Sequence, residues 1–227
     1  NEFPAIGINC LFLHKDYNRL DLRYMVFPES FGLYPMIRNT YNNKYQENIL
    51  GKMAIRAIHD YPNVTWFTSL TNVLAGLPIK NVRYNYHFGK REPSSDFIDL
   101  CGKFSFMKGG LHSAVGLAVA MGFSRLLLIG CDYLHKPTVG GHFYSLPLSS
   151  EGDSRSIYSN LLDALPDDVV VEIVTPFDQG CWLPHYCYKN WKGVDPVYKG
   201  NHVIVSQSDL ACLNRAFQLG QLTNPVA

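Results

Sequence analysis

The chain has 227 residues, enough for one large domain with a substantial buried core. Apolar residues make up 47% and charged residues 17%, and a formal net charge of +1 leaves no global field to steer the molecule onto nucleic acid or an anionic bilayer. The longest apolar run, Leu117 to Gly130, is interrupted by Ser124 and Arg125 and is too short for a transmembrane span, so the chain reads as soluble.

In chain order, Ala5 to Leu13 is a β-branched and aromatic run with strand character, and Arg23 to Phe27 is a second strand stopped by Pro28. Helical spacing runs through Ile49, Met53, Ile55 and Ile58, which predicts a helix over Asn48 to His59, followed by a strand over Val64 to Thr68. Ala75 to Ser105 is punctuated by glycine, proline and serine and reads as loops with a short strand near Val82 to Tyr86. Gly110 to Gly122 is a nearly all-apolar helix of small residues, and Arg125 to Ile129 follows as a buried strand closed by Gly130-Cys131-Asp132-Tyr133. Ser154 to Leu165 is an amphipathic helix stopped by Pro166, and Val169 to Val174 is another buried strand. Gly180 to Gly200 is aromatic and irregular, and Ser208 to Leu219 is a final helix.

This alternation predicts an α/β fold, a Rossmann-like, mostly parallel sheet flanked by helices, with an irregular carboxyl-terminal extension. We divide the chain into a nucleotide-binding segment, residues 1–176, and a lid or extension of the same domain, residues 177–227. The six cysteines show no spacing typical of small disulfide-stapled domains and read as free thiols in a reducing, cytoplasmic compartment. Cys181, His185 and Cys187 form half of a zinc-like corner without the remaining ligands, so they read as loop residues.

In such sheets ligands bind beyond the carboxyl ends of the strands, which directs attention to two places. Lys108-Gly109-Gly110 launches the small-residue helix; its glycines permit close backbone approach and the helix amino terminus offers unpaired N–H groups, a phosphate cradle to which Ser113 adds a hydroxyl. The same glycines serve equally to start a helix packed tightly on a sheet. Asp132 and Tyr133 stand at the end of the next strand, and Gly140-Gly141-His142-Phe143-Tyr144 sets a histidine in a glycine-preceded loop, where a general base belongs. Asp132 also fits a turn cap, His142 a solvated loop histidine, and Asp132, His135 and His142 together a metal site for a hydrolase or phosphotransferase, with His112 a further nearby histidine.

The stretch Phe104-Ser-Phe-Met-Lys-Gly-Gly-Leu-His-Ser-Ala-Val-Gly-Leu-Ala-Val-Ala-Met-Gly-Phe-Ser-Arg-Leu-Leu-Leu-Ile-Gly-Cys-Asp-Tyr133 resembles the core of the bacterial sialyltransferases of glycosyltransferase family 42 and of their MptE-like relatives. Ile6-Gly-Ile-Asn9 is similar to the strand that supplies a nucleotide-contacting asparagine there, while Gly109-Gly110 stands where that family has Ser-Gly. The resemblance implies a glycosyltransferase-like enzyme that moves a sugar, sialic acid or a related nonulosonate, from a cytidine monophosphate or other nucleotide donor to a glycan acceptor. It implies donor contacts from Asn9, Gly109 and Gly110, to which the cradle reading adds Lys108 and Ser113, an Asp132 at the nucleotide pocket, His142 as general base, and Tyr133 or Tyr144 beside the leaving phosphate. It implies no metal cofactor and at most a peripheral association with the inner membrane. A non-catalytic relative that keeps the fold as a binding module is the remaining alternative.

Overall fold

A computed structural model of the chain describes residues 4–28, 33, 44–78, 80–85, 110–131, 134, 143–144, 163, 165–176, 183–197 and 199–223. It is an α/β fold with two parallel sheets flanked by helices. The first holds β1 (Ala5–Ile8), β2 (Leu22–Phe27), β3 (Thr65–Ser69) and β4 (Val82–Asn85) in sequential order. The second holds β5 (Arg125–Ile129), β6 (Val170–Thr175) and β7 (His185–Cys187).

Period-2 alternation divides the first sheet into two apolar faces. Met25, Phe27 and Trp66 point into the main core, where they meet Phe12, Tyr17 and the inward side of α1 (Lys44–Asp60), namely Met53, Ala54, Ala57 and Ile58. These four recur at helical spacing while Lys52, Arg56, His59 and Asp60 are exposed, as an amphipathic helix requires. Helix α5 (Gln207–Thr223) closes the same core with Leu210 and Leu213, and an Arg56–Asp209 ion pair of 3.0 Å ties it to α1. Ser206 caps α5: its hydroxyl accepts the Asp209 N–H at 3.1 Å and donates to the Asp209 carboxylate at 2.8 Å.

The opposite face, Ile6, Ile8, Val26 and Phe67, receives Ala114 and Leu117 of α2 (Gly110–Ala120). Leu111 and Val115 of the same helix pack on Leu126, Leu128 and Ile173 of the second sheet. One apolar helix therefore rests on both sheets, which explains why Gly110 through Ala118 are all buried. It ends in a Schellman motif: Gly122 takes φ 88, its N–H reaches the Val119 carbonyl, and the Phe123 N–H reaches that of Ala118.

Several expected boundaries move. The run from Ala5 to Leu13 is not one strand, because Asn9 enters the left-handed region at φ 52 and Leu11–Leu13 winds into a 3₁₀ turn. A further 3₁₀ segment, Leu70–Ala75, follows β3. The irregular Gly180 to Gly200 stretch contains β7 and a short helix, α3 (Tyr188–Lys192), and is followed by α4 (Asn201–Ile204). Nor are the strands at Arg125 to Ile129 and Val169 to Val174 buried on both faces: Leu127, Ile129 and Val170 are exposed. Of the helix expected over Ser154 to Leu165, all but Asp163 and Leu165 lies outside the described residues.

Candidate functional site at the strand carboxyl ends

The parallel strands bring Asn9, Pro28, Ser69 and Gly130 to their carboxyl ends, the edge at which α2 begins. Asn9 directly follows β1. Its N–H donates to the Val26 carbonyl at 2.9 Å, and its left-handed backbone then throws the chain into the 3₁₀ turn. Asparagine is among the few residues other than glycine that accept this conformation readily.

The Asn9 carboxamide lies directly against Gly110, the first residue of α2. A Cβ built on Gly110 would sit 2.8 Å from Asn9 Cγ and 2.9 Å from Nδ2, and closer still to Oδ1, so only glycine fits. Asn9 Oδ1 is buried and has no hydrogen-bond partner among the described residues. Two of the expected donor-binding residues, far apart in the chain, are thus in contact. Ser113 is buried in the first turn of the same helix, as is His112.

Tyr144 is buried in the main core, its ring 5.4 Å from that of Phe143 and nearly perpendicular to it. Lys108, Gly109, Asp132, Tyr133, His135 and His142 lie outside the described residues. Among the described residues, no group of three His, Cys, Asp or Glu side chains could hold a metal ion, and no helix is long and apolar enough to cross a membrane.

Two features escaped the reading of the sequence. At the end of β3, Asn72 is fully buried, donates through Nδ2 to Thr68 Oγ1 at 2.9 Å, and accepts the Leu33 N–H at 3.0 Å. This fastens the chain beyond β2 to the end of β3 and stiffens the rim of the site. The other is His14, whose Nδ1 accepts the Asp16 N–H at 3.1 Å while its ring packs 6.1 Å from Phe143. The accepted hydrogen bond leaves Nε2 as the protonated nitrogen of the neutral ring. The sequence signal was a histidine two residues before an aspartate in a turn, too common to single out.

A cleft of about 180 Å³ opens at the ends of β5 and β6, lined among others by Ile129, Gly130, Thr175, Pro176, Tyr188 and Val197. The site as a whole offers a helix amino terminus, an unpaired carboxamide acceptor and glycine-permitted close approach, the means by which proteins hold a phosphate and a polar ring together. No family model, curated protein or solved structure matches the chain.

Proposed function

We propose that the chain is a glycosyltransferase-like enzyme that holds a nucleotide-activated sugar, with cytidine monophosphate as the favoured nucleotide, where β1 ends and α2 begins. The observation that carries the reading is the Asn9–Gly110 contact, with a buried Oδ1 left without a donor. An unsatisfied buried acceptor costs about 1–3 kcal/mol, a cost that a bound donor offsets. The exocyclic amine of cytosine is such a donor, whereas uracil presents a carbonyl at the same place. The first-turn N–H groups of α2 supply the complementary field for the phosphate.

In the reaction, the acceptor hydroxyl oxygen attacks the anomeric carbon as the bond from that carbon to the nucleotide phosphate oxygen breaks, and His142 takes the hydroxyl proton. Asp132 and Tyr133, which follow Gly130 in the sequence, belong to the nucleotide side of this reading, whereas Tyr144 is packed in the main core and stands outside it. The partners are a nucleotide sugar and a glycan acceptor in the cytoplasm, and the reading calls for no metal.

Calorimetric titration of cytidine and uridine monophosphates into the wild type, Asn9→Ala and Asp132→Asn tests it. Saturable binding of the cytidine nucleotide, weaker binding of the uridine nucleotide, and a loss of about tenfold or more in each variant are expected. No nucleotide binding in the wild type, or binding indifferent to Asn9, overturns the reading.

A further inference from the structure

We draw no further inference here: the strongest candidate, the cleft at the carboxyl ends of β5 and β6 between Ile129, Pro176, Tyr188 and Val197, is lined mainly by apolar side chains, and nothing in the structure shows what occupies it.

Discussion

The two sheets share one parallel topology and one central helix, yet they are enclosed very differently. The β1–β4 sheet has a large core on one face, built from α1, α5 and the turns after β1, and α2 on the other. Among the described residues, the β5–β7 sheet has a smaller buried cluster under α2, and on its opposite face Leu127, Ile129 and Val170 are exposed while Val174 is buried. Among the described residues, the larger share of the buried apolar core therefore lies in the first half.

The strongest way to break this comparison is to delete core volume in each half. Trp66→Ala, which removes a side chain 1% exposed at the centre of the main core, should cost about 3–5 kcal/mol in urea denaturation. Ile173→Ala, in the smaller cluster, should fall toward the lower end of the 2–5 kcal/mol range typical of such deletions. Equal or reversed costs would show that the second sheet is no weaker than the first. Next in size is Gly110→Ala, which drives a methyl into the Asn9 carboxamide and should cost about 1–3 kcal/mol together with cytidine monophosphate binding. Adding Asn9→Gly should recover the stability but not the binding, since glycine accepts φ 52 and vacates the space.

The smallest effect concerns acid. Hydrogen bonds from Arg125 first and Tyr186 second hold the Glu172 carboxyl below its ordinary value of 4.5. A depressed folded-state value stabilises the fold above the unfolded value and is lost as pH falls through the folded one, so the contribution disappears below about pH 4.5. Urea midpoints followed from neutral pH down to about pH 3 should show a shallower acid decline in Arg125→Gln than in the wild type. The difference will be modest because the Arg125 side chain is 69% exposed.

Much of the fold was legible in local patterns. β2 was marked by aromatic and β-branched residues before Pro28, and α2 by small apolar residues ending at a glycine. β7 was not, because three residues, His185 to Cys187, become a strand only by pairing with β6. The run Leu126-Leu127-Leu128-Ile129 read as a buried strand, since composition cannot tell a covered face from an exposed one. At the site, Asn9 and Gly110 were each recognisable, but their contact is tertiary and no local pattern encodes it. Asn72 and His14 went unnoticed because their roles come from partners elsewhere: Leu33 and Thr68 for one, Asp16 and Phe143 for the other.

Helix α5 bears on how the protein is made. The four strands of the first sheet precede α2 and α5 and follow one another in their spatial order, so each pairs with the strand made before it. Their main core, however, includes Val205, Leu210 and Leu213, which are synthesised well after β4. Until these emerge, part of the apolar surface around Trp66 and α1 lacks its cover, and the nascent chain presents it to chaperones or to other nascent chains. The strands of the first sheet can pair before α5 is made, but their main core closes only when α5 arrives.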